Sequence, residues 1–146
     1  MKELVVKSPA FENNKTIPKK YTCDGDNVNP TLTIEGIPKE AKSLVLIIDD
    51  PDSPFGTFGH WVVWNISPTN KIEENSSPGT QGLTDFGKHN YGGPCPQYGT
   101  HRYFFKVYAL NTELDLNINL RRGGVEKAIK DHIIAEGKLV GLYGRK

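Results

Sequence analysis

Three scarcities narrow the class of this protein at once. There are only two cysteines, Cys23 and Cys95, far apart and without a C-x-x-C pair, a pattern that reads as neither a disulfide framework nor a zinc site. Charge of one sign is missing too. Lys plus Arg number 18 against 17 Asp plus Glu, a formal net charge of +1, so no global field draws nucleic acid or an acidic membrane. Long apolar runs are also lacking. Leu4-Val5-Val6 before Lys7 is too brief for a secretory leader and no stretch approaches membrane-spanning length, so the expected location is cytoplasmic, with no integral membrane association. Sequons at Asn14, Asn65 and Asn75 mean little without a secretory route.

What is present fits one globular domain covering residues 1–146: 36% hydrophobic and 24% charged residues are enough for a core that needs no staples. Strands dominate the expected elements. Leu4 to Lys7 and Thr31 to Ile34 read as short strands, and the apolar run Ser43 to Asp49 as one buried on both faces. In His60 to Ile66, period two places His60, Val62, Trp64 and Ile66 on one face and Trp61, Val63 and Asn65 on the other. Ser67 to Thr100 shows no regular element, and stretches of that kind tend to be functional or mobile. Phe104 to Leu110 reads as a strand. Leu114, Leu116, Ile118 and Leu120 alternate like a short strand or an extended cover. One helix is expected from Gly124, with Val125, Ala128, Ile129, His132 and Ile133 as its core stripe and Gly137 as its cap. Lys138 to Tyr143 makes a last strand.

The chemistry concentrates between Asp85 and Leu110. Tyr91-Gly92-Gly93-Pro94-Cys95-Pro96 cannot be helical, because two prolines remove N–H donors. This shaped loop feeds His101, Arg102 and Tyr103 into a strand, rigid support for side chains that bind. Gly82 to Lys88 matches most of a phosphate loop, but His89 replaces the magnesium-binding hydroxyl and the glycines and proline forbid the following helix, so nucleotide hydrolysis is excluded. The serine-hydrolase elbow G-x-S-x-G is absent. Cys95 lies between two prolines with no evident activating partner for a thiolate.

Two constellations remain. Asp50, Asp52, His60 and His101 form a two-histidine, carboxylate set that suits iron or zinc and would serve a metal-dependent hydrolase. Alternatively, the two imidazoles, the Tyr103 hydroxyl and N–H groups around Gly92 and Gly93 form an anion pocket. Asp50 and Asp52 then serve as partners of the histidines, fixing a tautomer and raising the imidazole pKa. Taken alone, His60 reads equally as a packed strand residue, and Asp49-Asp50-Pro51-Asp52 as a solvated turn.

The motifs DPDSP, GHWVVWNI and YGGPCPQYGTHRYFFKVYAL, in that order, resemble the phosphatidylethanolamine-binding protein family, which includes Raf kinase inhibitor proteins and plant flowering regulators. The resemblance runs from Phe11 to Gly144 and is closest to the compact bacterial and archaeal members. It implies an all-β-dominated fold with a central antiparallel sheet, a second smaller sheet and one or two short helices. It also implies a non-enzymatic pocket for phosphate, acetate or a phospholipid head group, lined by Asp50, Asp52, His60, Gly93, Pro94, His101 and Tyr103, with a cis peptide bond before Pro54 and no cofactor. Cys95 stands where eukaryotic members often carry a second proline, and the chain ends without their C-terminal helix, so kinase binding attributed to that helix is not carried over. Some members inhibit serine proteases, which makes Ser67 to Gly82 the candidate inhibitory segment. Others scaffold signalling proteins, and an open sheet face suits a homodimer.

Overall fold

The computed structural model describes residues 2–145. Its elements in chain order are β1 (Lys2–Glu3), β2 (Val5–Lys7), β3 (Lys15–Thr16), a single 3-10 turn (Lys19–Tyr21), β4 (Leu32–Glu35), β5 (Ser43–Asp50), β6 (Phe58–Ile66), β7 (Lys71–Ile72), β8 (Thr80–Gln81), β9 (Gly99–Leu110), α1 (Arg122–Ile129) and β10 (Ile133–Arg145). The larger sheet has the order β1-β10-β9-β5-β6-β8 with β3 also paired to β10, and β2-β4-β7 form the smaller one. Its central pairings, β10 with β9, β9 with β5 and β5 with β6, are all antiparallel. The expected architecture, a central antiparallel sheet beside a smaller one with a single helix, is the one observed.

β5 holds this arrangement together because both of its faces are apolar and every residue is buried. Leu44, Leu46 and Ile48 enter a core shared with Leu32, Ile34 and Ile72 of the smaller sheet, whereas Val45 and Ile47 enter a second core with Trp64, Val125 and Ile129. A strand between two cores reads as a continuous apolar run rather than an alternation. Leu114, Leu116 and Leu120 pack on the second core as an extended cover, not a strand.

Several expectations need correction, among them the absence of regular elements from Ser67 to Thr100, where the short strands β7 and β8 and the start of β9 lie. The strict alternation of β6 fails because the strand carries two extra residues. Ile48 pairs with Trp61 but Asp49 with Gly59, leaving His60 unpaired, and Leu44 pairs with Ile66 but Leu46 with Val63. Each bulge resets which side the next residue faces. His60 therefore joins the side of Trp61 rather than that of Trp64, and Ile66 lies in the first core with Val63. Asn65, at the second bulge, adopts φ of 54° and exchanges two hydrogen bonds of 2.7 Å with the backbone of Leu114.

The helix also ends early. His132 N–H donates to the Ile129 carbonyl at 2.8 Å, and Ile133 already opens β10. Gly137 is not a cap but a mid-strand residue, where a Cβ would lie 2.1 Å from the Leu4 carbonyl oxygen. Close backbone approach, not capping, demands that glycine. β9 begins at Gly99, so His101 to Tyr103 belong to the strand itself. Finally, the peptide before Pro54 is trans, with no cis bond among the described residues.

Candidate anion-binding site

Asp49 and Asp50 at the end of β5, and Asp52 just past it, face three different partners. Asp49 turns to Lys106 on the second-core side, with Nζ 2.7 Å away. Asp50 turns the opposite way, and its Oδ2 lies 2.6 Å from Nδ1 of His101. Asp52 is held by the Arg102 guanidinium at 2.9 and 2.8 Å and by the Arg102 backbone N–H at 2.9 Å. That fork draws its pKa down to about 2. Asp52 therefore braces the β5–β6 turn against β9 and partners no histidine, which corrects the expectation.

Alternation along β9 puts His101, Tyr103 and Phe105 on one side, pointing toward the first core. The His101 and Tyr103 rings stack at 6.4 Å, and His60 meets Tyr103 edge-on at 5.3 Å. The bulge in β6 is what turns His60 toward this cluster. His60 Nδ1 lies 2.8 Å from the Gly92 carbonyl; a carbonyl only accepts, so Nδ1 carries a proton and Nε2 is left for a ligand. Phe58 and Phe86 wall in its ring at 5.1 and 5.2 Å.

Burial dominates the charge behaviour of His60. It pushes the pKa below the ordinary 6.5, against the opposing pull of the Gly92 carbonyl and the Asp50 charge. The expected upward shift is thus reversed, because desolvation outweighs the carboxylate. An unfolded chain would protonate this imidazole below about pH 6.5 while the folded one resists. The contribution is intact above that pH and is lost as pH falls toward the folded value. The urea midpoint is therefore expected to drop between about pH 7 and pH 5 more in the wild type than in His60→Gln, as read by paired urea melts.

Tyr103 is fully buried, and its hydroxyl makes no hydrogen bond of good geometry among the described residues, although the Asp50 carboxylate is a near polar neighbour. Burial and the nearby Asp50 charge push its pKa up, so it stays a protonated donor. A buried hydroxyl without a partner costs about 1–3 kcal/mol. This is the kind of orphan group a ligand satisfies.

Gly93 and Pro94 form a wall of the cluster, but their loop does not present free amides. Gly92 N–H donates to the His60 carbonyl at 3.1 Å, and Gly93 N–H to Asn27 Oδ1 at 2.8 Å. The expected donor nest is therefore occupied by the protein itself. What remains for an anion is side-chain chemistry: two imidazole Nε2 positions and one phenol.

The wall is stitched to the loop after the 3-10 turn. Cys23 and Cys95 form a disulfide with Cα atoms 5.5 Å apart, which overturns the reading of two unrelated cysteines. Spacing misled because these two loops meet only in the fold. Cys23 N–H donates to the Pro94 carbonyl at 3.1 Å, and the Tyr91 hydroxyl to the Tyr21 carbonyl at 2.7 Å. At Gly93 a Cβ would stand 2.3 Å from that same Tyr21 carbonyl oxygen. Asn27 and Cys23 are the site-supporting residues that sequence reasoning missed. Asn27 stands beside the turn-forming Asp24-Gly25-Asp26, the one local hint.

A profile of the phosphatidylethanolamine-binding protein family matches residues 7–144. The chain belongs to this family. A UPF0098 protein of Pyrococcus abyssi is 50% identical, covering 99% of this chain and 87% of its own length. One from Aquifex aeolicus is 47% identical over 94% and 86% of the two chains. Among solved structures, a phosphatidylethanolamine-binding protein homologue from Chlamydia trachomatis superposes with a TM-score of 0.93 at 37% identity, covering all of both chains. Escherichia coli YbcL, described as a new member of the mammalian family, gives 0.91 at 28% identity over 99% of each.

Within this family member, Asp50, His60, His101 and Tyr103 form one side-chain cluster, Gly93 and Pro94 follow the Gly92 carbonyl that holds His60, and Asp52 is tied to Arg102, the next residue after His101. Among the described residues no group of three or more His, Cys, Asp or Glu is arranged to hold a metal ion. The four-residue ligand set is broken up by the Asp50–His101 and Asp52–Arg102 pairings. No helix among the described residues is long and apolar enough to cross a membrane.

Proposed function

We propose that this protein binds a small phosphorylated or carboxylated ligand, its anionic oxygens meeting His60 Nε2, His101 Nε2 and the Tyr103 hydroxyl. The single observation that carries the reading is the pair of imidazoles each tied at Nδ1 to an acceptor, beside a buried phenol with none. In the imidazolium form each Nε2 becomes a donor beside the phenol, and a compact oxyanion supplies the acceptor. His60 must take up a second proton to donate through Nε2, so binding draws protons in and tightens as pH falls toward the imidazole range.

The proposal is of binding rather than catalysis. Cys95 offers no thiolate because it is in a disulfide, and the high pKa of Tyr103 suits a donor, not a nucleophile. Residence in the cytoplasm is carried forward as part of the proposal, to be read by cell fractionation. A serine protease, a signalling protein or a second copy as partner stays a subsidiary proposal. Nothing in segment 67–82 favours the inhibitory role: it is pinned at Asn29, which accepts from the Ser76 N–H at 3.0 Å and donates to the Glu73 carbonyl at 2.9 Å.

Calorimetric titration with inorganic phosphate, phosphoethanolamine and acetate tests the reading. One-to-one binding of phosphate is expected. His60→Ala is expected to weaken it about 10- to 100-fold, the worth of a hydrogen bond to a charged group. Absence of heat for all three anions would defeat it.

A further inference from the structure

We propose that the Cys23–Cys95 disulfide is a thiol-exchange site whose oxidation state sets the affinity of the anion site. The inference rests on the binding function proposed above and concerns its regulation. Residues 91–96 form no strand or helix, so no ladder of backbone hydrogen bonds fixes the wall that carries Gly93 and Pro94. On the side facing the loop after the 3-10 turn, it is held by the disulfide, the Cys23–Pro94 and Gly93–Asn27 hydrogen bonds and the Tyr91–Tyr21 hydrogen bond. The disulfide is the only covalent tie among them. It closes a sequence separation of 72 residues, so without it the two loops must find each other through a large part of the chain.

The wall is coupled to the ligand-facing groups at two points. The Gly92 carbonyl fixes the His60 tautomer, and the Gly92 N–H donates to the His60 carbonyl at 3.1 Å. A shift of Gly92 to Cys95 therefore changes which nitrogen of His60 is free and where its ring stands. Access favours exchange as well: Cys95 is exposed and Cys23 partly so. A low-molecular-weight thiol, as its thiolate, attacks the Cys95 sulfur and expels Cys23 as a thiolate that takes up a proton. A second thiol resolves the mixed disulfide, leaving two protein thiols and one oxidised small-molecule disulfide.

Phosphate affinity measured by calorimetry, before and after reduction of the intact protein with dithiothreitol, is the test. Reduction is expected to weaken phosphate binding roughly tenfold, within the usual range for coupled sites. Linkage then requires saturating phosphate to shift the thiol–disulfide equilibrium toward the disulfide by the same factor, measured in a glutathione redox buffer. Cys23→Ser/Cys95→Ser should reproduce the reduced affinity, with amide NMR confirming that β5, β6 and β9 stay folded. Equal phosphate affinity in both states, or loss of the strand signals on reduction, would overturn the inference. Failure of the oxidised protein to bind phosphate at all would instead strike the binding function itself.

Discussion

Trp64→Ala is expected to lower the unfolding free energy by about 3–5 kcal/mol, the cost of emptying a large aromatic site in a packed core. Trp64 is fully buried in the second core with Val45, Ile47, Val62, Leu110, Val125 and Ile129. Its ring also fills the space at Gly82, where a Cβ would come within 2.5 Å of Cζ3. Collapse around the cavity is limited, since β5 and α1 hold its two sides. Because this core lies across β5 from the histidines, the folded variant should keep wild-type phosphate affinity. Urea melts read the first quantity and calorimetry below the melting range the second. A loss under about 1 kcal/mol would mean the ring is not a core element. Lost affinity in a folded variant would mean the two faces are coupled.

Asp50→Asn should weaken phosphate binding about a hundredfold while leaving the fold intact. Asparagine keeps the shape and can still accept from His101 Nδ1, so the backbone of β5 has no reason to move. What disappears is the charge. The Asp50 carboxylate is the partner of His101 Nδ1, and its charge favours donation from the ring to an anion at Nε2, in a site where the two side chains are only 5% and 14% exposed. Hydrogen bonds to charged partners are worth about 1.5–3 kcal/mol, which at the upper end converts to that factor. Tighter binding in Asp50→Asn would mean that the carboxylate repels the ligand instead of preparing its receptor.

The sequence displayed the site residues better than their partners, for a physical reason. The apolar runs Ser43 to Asp49 and Phe104 to Leu110 are local properties, so Asp50, His101 and Tyr103 could be placed next to the ends of buried strands from their own neighbours alone. His60 was misplaced because a bulge depends on the register of the facing strand, which no local pattern reports. Asn65 had a hint in its residue type, since asparagine tolerates positive φ, but the hint does not say which strand it will disturb. Gly137 and Gly93 stand where remote backbone passes close by, a demand set by Leu4 and Tyr21 and invisible around the glycines themselves. The same holds for Cys23 and Cys95, and for the amides of Gly92 and Gly93. They were read as free for a ligand, yet the fold brings the His60 carbonyl and Asn27 to them. His60 shows the limit for electrostatics, because nearby carboxylates were evident while the depth of burial that overrides them was not.

Long-range proton–nitrogen NMR of the imidazole rings, followed during titration with inorganic phosphate, addresses the binding site without intermediaries. Saturable, one-to-one shifts at Nε2 of both His60 and His101 are predicted, with His89 and His132 left as internal controls. Ring signals of His60 and His101 that stay fixed at saturating phosphate, in a protein whose amide spectrum shows it folded, would contradict an anion site at this end of the sheet.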